Sequence, residues 1–94
     1  MDLLKNLKMT GDRDLWLLTN VVGLTLSEVS VETGISLSRL SSYRHGLRPT
    51  REQAAKLSDL IETVVEDLAA HVEDMAPSDP LREYYGAVLE VLEA

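Results

Sequence analysis

The amino-acid sequence predicts an all-α fold, and three observations support that prediction. Apolar residues recur every three or four positions over most of the chain, as they do on one face of a helix. Side chains that cap helices precede these stretches, and glycine or proline follows them. Runs that alternate between apolar and polar residues, which indicate half-buried strands, are scarce.

Five helices are predicted. In chain order they cover residues of about 14–22, 25–33, 36–45, 50–75 and 80–93. Their candidate N-caps are Asp12 or Asp14, Thr25, Ser36, Thr50 and Asp79. Two of these caps, Thr25 with Glu28 and Thr50 with Gln53, have the spacing of a capping box. In a capping box, the side chain of each residue accepts a hydrogen bond from the backbone N–H of the other.

Glycine and proline set where the predicted helices end. Gly23, Gly34 and Gly46 follow the first three helices, at the position where a left-handed backbone is common. The fourth helical stretch contains neither residue type, and the sequence leaves open whether a connection near 58–62 divides it in two. The run from Pro77 to Pro80 then separates this stretch from the fifth helix.

Length and composition limit the classes of function that this chain can have. Ninety-four residues, 45% of them hydrophobic, predict one folded domain over residues 1–94. Cysteine is absent from the sequence, and His45 and His71 have no cluster of further ligands near them, so we expect no metal site. The sequence shows no nucleophile–base pair, catalytic carboxylate pair or phosphate-binding glycine loop. We therefore expect neither enzymatic activity nor a cofactor.

Membrane and export signals are also lacking in the sequence. No apolar run approaches the roughly 20 residues that cross a bilayer. The first five residues lack the basic-then-apolar order of a signal peptide. We therefore expect a cytoplasmic protein that does not associate with membranes.

Charge is divided unevenly between the two halves of the chain. The net charge is −7, yet residues 1–51 hold seven Lys and Arg against five Asp and Glu, a formal charge of +2. Residues 52–94 hold two bases against eleven acids, a formal charge of −9. Within 35–51 there are four arginines and no acid. This segregation indicates a cationic surface around the third helix and an acidic body elsewhere.

Two aromatic residues beside this region have structural interpretations. Tyr43 has the helical spacing of Leu40, so we expect its ring to lie in the core. Trp16 either packs under residues 3–9 or lies at a contact between subunits, and the sequence does not decide between these two positions.

Two short helices joined by a glycine-containing turn have the arrangement of a helix-turn-helix motif. The residues that carry it are Gly23-Leu24-Thr25, Val29, Ser30, Gly34, Ile35 and Ser36, followed by the loop Gly46-Leu47-Arg48-Pro49-Thr50. This pattern resembles that of the lambda-repressor/Cro-like family, also called the Xre family. The resemblance spans about 14–65 and implies a lambda-repressor-like helix-turn-helix bundle, with the residues at about 66–94 as a helical extension.

The resemblance implies that the third helix lies in the major groove of double-stranded DNA. The matching base-contacting positions are Ser36, Leu37, Ser38, Arg39 and Ser42. The matching phosphate-contacting positions are Thr25, Arg44, His45, Arg48 and Arg51. Because serine hydroxyls pair with any base, we expect an arginine–guanine contact and a contact of Leu37 with a thymine methyl group to carry specificity.

Two positions depart from the family pattern. Leu26 stands where the family commonly has a phosphate-contacting glutamine. Arg44 stands where the family often has a glutamate paired with a base on the first helix, and the matching first-helix residue is Thr19. Arg44 is therefore free either to bind DNA or to pair with an acid such as Asp14.

The C-terminal stripes of apolar residues exceed what one helix-turn-helix core covers, so we expect a homodimer. The candidate dimer residues are Leu68, Val72, Met75, Leu81, Tyr84, Tyr85, Val88, Leu89 and Leu92. Together with the resemblance, this predicts a homodimeric transcriptional repressor that reads an inverted repeat. The alternative is an antitoxin or another interaction module whose acidic C-terminal helices bind a partner protein such as a toxin.

Overall fold

A computed structural model describes residues 12–94, and this part of the chain contains five helices and no strand. The helices are α1 (Arg13–Trp16, continued by a π-helical turn over Leu17–Val21), α2 (Leu26–Thr33), α3 (Leu37–Arg44), α4 (Arg51–Asp74) and α5 (Pro80–Glu93). The all-α prediction is confirmed. None of these helices is both long enough and apolar enough to cross a bilayer.

Each helix begins at a predicted N-cap. The side-chain oxygen of each cap accepts a hydrogen bond from a backbone N–H in the first turn of its helix. The pairs, with the cap first, are Asp12 and Leu15 at 3.0 Å, Thr25 and Glu28 at 3.1 Å, Ser36 and Arg39 at 3.2 Å, Thr50 and Gln53 at 3.2 Å, and Asp79 and Leu81 at 2.9 Å. The first cap is therefore Asp12 and not Asp14. The second predicted capping box forms only in part, because the Gln53 Oε1 atom is buried without a hydrogen-bond partner in the described part of the chain.

The first helix differs from a regular α-helix in its second half. The Thr19 hydroxyl donates to the carbonyl oxygen of Leu15 at 3.0 Å, and the Asn20 side-chain amide donates to that of Trp16 at 3.1 Å. The backbone ladder widens over this turn, and Val22 N–H donates to the carbonyl oxygen of Leu17 five residues earlier. The sequence predicted a plain helix here.

The core lies where α1 to α4 meet. Its buried residues from these helices and their connections are Leu15, Leu17, Leu18, Val29, Ile35, Leu40, Tyr43, Leu57, Leu60 and Ile61. α4 runs without interruption through 58–62, so the connection that the sequence left open does not exist. Trp16 is half-buried against this core, whereas residues 3–9, its other candidate neighbours, lie outside the described residues.

α5 folds back onto α4 of the same chain. Leu92 is 5% exposed and belongs to the core described above. Arg82 Nη1 donates to the carbonyl oxygen of Met75 at 2.9 Å, which holds the connection between the two helices. Arg13 Nη2 donates to the carbonyl oxygen of Ala94 at 2.8 Å, so the end of α5 reaches the start of α1.

Candidate nucleic-acid interface

Side-chain hydrogen bonds fix the turn between α2 and α3. The Ser30 hydroxyl donates to the carbonyl oxygen of Ile35 at 2.6 Å. The Thr33 hydroxyl accepts from Ile35 N–H at 3.2 Å and donates to the carbonyl oxygen of Val29 at 2.7 Å. Gly34 turns the chain with φ of +76°, a conformation that glycine adopts without strain. α3 is therefore held in one orientation on α2.

One side of α3 is buried and the other faces solvent. Leu40 and Tyr43 are buried, so the prediction that Tyr43 lies in the core is confirmed. Ser38 and Ser42 are exposed, and helical periodicity places them opposite the buried pair. The Ser42 hydroxyl donates to the carbonyl oxygen of Ser38 at 3.1 Å, which leaves its oxygen lone pairs available as acceptors.

The N-terminal end of α3 combines apolar, cationic and amide groups. Leu37 is 49% exposed, and Arg39 is also exposed. Ser36 caps the helix through its bond from Arg39 N–H. The N–H groups of Leu37 and Ser38 belong to the first turn of the helix, where amides have no acceptor within the helix. Such an end favours an anion.

A Schellman motif ends α3 and positions the following loop. Gly46 has φ of +114°. Leu47 N–H donates to the carbonyl oxygen of Ser42 at 3.0 Å, and Gly46 N–H donates to that of Tyr43 at 3.2 Å. These bonds satisfy the last carbonyl groups of α3. They direct Leu47 and Arg48 away from the core, and both residues are exposed, Leu47 by 58%.

His45 caps the C-terminal end of α3. Its ring Nδ1 lies 2.8 Å from the carbonyl oxygen of Ser41, and the side chain is exposed. Because a carbonyl oxygen only accepts, Nδ1 carries the proton of this hydrogen bond. The Nε2 atom is then the nitrogen that remains for other contacts.

The four arginines of this region, Arg39, Arg44, Arg48 and Arg51, are all exposed. Burial first, and then the Asp12 carboxylate, raises the pKa of Asp14, whereas Arg13 lowers it. Arg44 is not one of the described charges that shift this pKa, so the geometry gives no support to a pair between Arg44 and Asp14. Arg44 is an exposed surface residue.

Sequence reasoning did not place Arg13 near the loop after α3. A recess of about 390 Å³ lies between the start of α1 and the loop after α3, and Arg13 and Arg48 both line it. The two residues are far apart in sequence, and Arg13 lies outside the resembling segment. The charge pattern alone contained no signal for their proximity.

The N–H and hydroxyl groups of Thr25 already form hydrogen bonds within α2. Its N–H and its hydroxyl both donate to Glu28 Oε1 at 3.1 Å, and its Oγ1 accepts from Glu28 N–H at the same distance. A carboxylate therefore stands where a phosphate would dock on the start of α2. Among the predicted phosphate contacts, Thr25 has the least favourable setting.

The predicted dimer residues fall into different environments. Leu92 is buried within its own chain, because α5 packs on α4, and is not available to a second copy. Four others line a recess of about 440 Å³ between the end of α1, α4 and α5, which we call the α4–α5 cleft: Leu68, Tyr84, Tyr85 and Val88. Val72, Met75 and Leu89 are half-buried. Leu81 and Tyr84 are exposed, by 52% and 60%.

Aromatic rings form the rim of the α4–α5 cleft. The ring centroids of His71 and Tyr85 lie 5.6 Å apart with an interplanar angle of 72°. Those of Tyr84 and Tyr85 lie 5.6 Å apart at 63°. Both pairs have the edge-to-face geometry that aromatic quadrupoles favour, so Tyr84 is held at the rim although it is exposed.

Within residues 12–94, no three His, Asp or Glu side chains come close enough together to hold a metal ion. Searches against protein-family models, curated proteins and solved structures give no match to this chain. The exposed side of α3 and its flanking arginines are therefore the features that bear on function.

Proposed function

We propose that this chain is a sequence-specific regulator that binds double-stranded DNA, with α2 and α3 as a lambda-repressor-like helix-turn-helix unit. The observation that carries the proposal is the outer surface of α3. That surface has exposed serines opposite a fully buried side, exposed arginines around it and no acid within 35–51. An acid-free helix of this kind is suited to approach phosphates and base edges in the major groove.

The exposed side of α3 supports the contacts proposed for it. Ser38 and Ser42 lie at the centre of the outer surface, and Leu37 and Arg39 lie beside them near the helix start. Arg39 has the donors to bind guanine O6 and N7 together, and Leu37 can pack on a thymine methyl group. Arg48 and Arg51, with the Nε2 atom of His45, would contact phosphates.

We further propose that two copies bind an inverted repeat and repress transcription by occupying a promoter. The exposed Tyr84 lines the α4–α5 cleft, and the exposed Leu81 lies three residues earlier on the same helix. A two-fold axis would insert these side chains of each copy into the cleft of the other. Such a pair would present its two α3 helices about 34 Å apart, one turn of DNA.

Selection from a pool of random DNA duplexes tests the DNA-binding proposal. We expect the protein to enrich one motif with two-fold symmetry, and Ser42→Glu to abolish the enrichment by placing a carboxylate against DNA. Ser58→Glu, an equal change at an exposed site on α4, should keep it. Uniform binding of all duplexes, or equal effects of the two substitutions, would exclude α3 as the reading helix.

Light scattering tests the dimer. Tyr84→Ser should lower the molecular mass of the particle, because the substitution removes the ring beside the α4–α5 cleft. Leu47→Ser changes a side chain of similar exposure in the loop after α3, outside the α4–α5 cleft, and should leave the mass unchanged. A dimer that persists in Tyr84→Ser would place the subunit contact elsewhere.

A further inference from the structure

Two adjoining recesses between α2 and α4 form one continuous groove, which we call the α2–α4 groove. They measure about 420 and 210 Å³ and share Glu32, Leu60 and Thr63 in their linings. The α4 residues that line them recur every three or four positions from Lys56 to Asp67. At 1.5 Å per residue the groove follows α4 for about 17 Å, which matches three turns of a second helix.

An unpartnered apolar side chain lies on the α2 side of this groove. Val31 is 81% exposed, and no described residue covers it. Val29, two positions earlier, is fully buried, so Val31 points away from the core on the opposite side of α2. Leu24, Leu60 and Val64 continue the apolar surface into the groove. A partner that docks here gains apolar burial.

The charges around the groove are almost all negative. The charged residues in its lining are Glu28, Glu32, Asp59, Asp67 and Lys56. Four carboxylates therefore surround the apolar surface, against one ammonium group. Opposite potentials attract across an interface, so the matching surface is cationic around an apolar centre.

The same charges argue against other occupants. A second copy of this chain would bring its own four carboxylates against these four, and like charges oppose such a contact. The phosphates of DNA and of anionic lipids are repelled for the same reason. The α4–α5 cleft differs in this respect, because Asp67 is the one acid in its lining.

We propose that the α2–α4 groove docks a cationic amphipathic segment of a partner protein. Apolar side chains of that segment pack on Val31 and Leu60, and its Lys or Arg residues face Glu32 and Asp67. No residue of α3 or of the loop after it lines the groove. The inference therefore does not rest on the proposed DNA contacts.

Fluorescence anisotropy with a synthetic peptide tests this surface. The probe is a fluorescein-labelled helical peptide of about 14 residues with leucines on one side and lysines on the other. A matched peptide carries glutamates in place of the lysines. The lysine peptide should bind, and the glutamate peptide should not. Amide chemical shifts of the full-length protein should change at Glu32, Thr63 and Asp67 when the lysine peptide is added.

Matched variants distinguish the groove from general acidity. Glu32→Lys should weaken peptide binding about tenfold, and Val31→Ala about threefold, because each removes one of the two attractions. Glu66→Lys makes the same charge change at an exposed position of α4 outside the groove and should have a much smaller effect. All three sites are exposed, so circular dichroism should show that the fold is kept.

Three outcomes would overturn the proposal. Equal losses in Glu32→Lys and Glu66→Lys would mean that the peptide responds only to net charge. Unchanged binding in Val31→Ala would remove the apolar contact. A lower oligomeric state in Val31→Ala would show that a second copy occupies the groove. DNA selection with Glu32→Lys should give the wild-type motif, so failure here and failure of DNA binding are told apart.

Discussion

The hydrogen bond between the His45 ring and the Ser41 carbonyl oxygen determines which imidazole nitrogen is left at the end of α3. Nδ1 donates across 2.8 Å to that oxygen, so the neutral ring keeps an unprotonated Nε2. An unprotonated nitrogen cannot donate to a phosphate. Only the imidazolium form of His45 can therefore serve the proposed DNA contact as both a donor and a cation.

Loss of the ring should accordingly weaken DNA binding. His45→Ala should lower the affinity for all duplexes in fluorescence anisotropy, because a proposed phosphate contact is removed. His71→Ala is the control, because His71 lies on α4 beside the α4–α5 cleft. Equal affinities of wild type and His45→Ala would exclude the His45 contact.

Salt dependence should identify the phosphate contacts in the loop after α3. Arg48→Ala and Arg51→Ala should each weaken binding to all duplexes alike and reduce the slope of log K against log salt by about one per subunit. Lys56→Ala removes the same charge from the α2–α4 groove and should leave the slope unchanged. A slope that is unchanged in both arginine variants would remove the loop from the interface.

The helix boundaries and the α2–α3 turn were predictable because short-range chemistry determines them. Thr25 and Glu28 satisfy each other within one turn, and Gly34 supplies the positive φ that the chain needs. Neither requirement depends on what packs against the segment. The burial of Tyr43 followed from its helical spacing with Leu40.

Features that depend on tertiary packing were not predictable. An apolar stripe containing Leu92 can pack on its own α4 or on a second copy, and the sequence is the same in both cases. The π-helical turn over Leu17–Val21 has no counterpart in the capping or periodicity patterns of the sequence. The recess that Arg13 and Arg48 both line is formed only by the three-dimensional fold.

The packing of α5 on α4 leads to a stability prediction. Leu92→Ala should lower the free energy of unfolding by about 2–5 kcal/mol, because it opens a cavity in the core. Leu47→Ala changes an exposed leucine and should cost less than about 0.5 kcal/mol. Urea denaturation without DNA measures both values. A small loss in Leu92→Ala would mean that α5 does not pack on its own chain in solution.

The raised pKa of Asp14 predicts a pH-dependent stability. Burial disfavours the charged carboxylate, so the folded chain holds the Asp14 proton more tightly than the unfolded chain does. The ionised group therefore costs stability once the pH exceeds its raised pKa, and this cost is absent below the ordinary value of 3.8. Asp14→Asn should raise the melting temperature at pH 7, and the gain should vanish as the pH falls through 3.8. A gain of equal size at pH 3 would contradict this cause.

Sequence discrimination should depend on the start of α3. Arg39 is the arginine nearest the helix start, and Leu37 is the exposed apolar side chain beside it. Arg39→Ala should cost about 1–3 kcal/mol on the selected motif and abolish the preference for guanine at one position. Leu37→Ala should reduce the preference for thymine at another position, because the methyl contact is lost.

Binding over a panel of single-base variants of the selected motif measures both effects. Val31→Ala removes an exposed apolar side chain from α2 and should keep the wild-type order of preference. The two α3 variants should each change that order at one base pair, since each side chain contacts a different base. If both variants weaken every duplex equally and keep the order, then α3 supplies only charge, and the bases are read by another element.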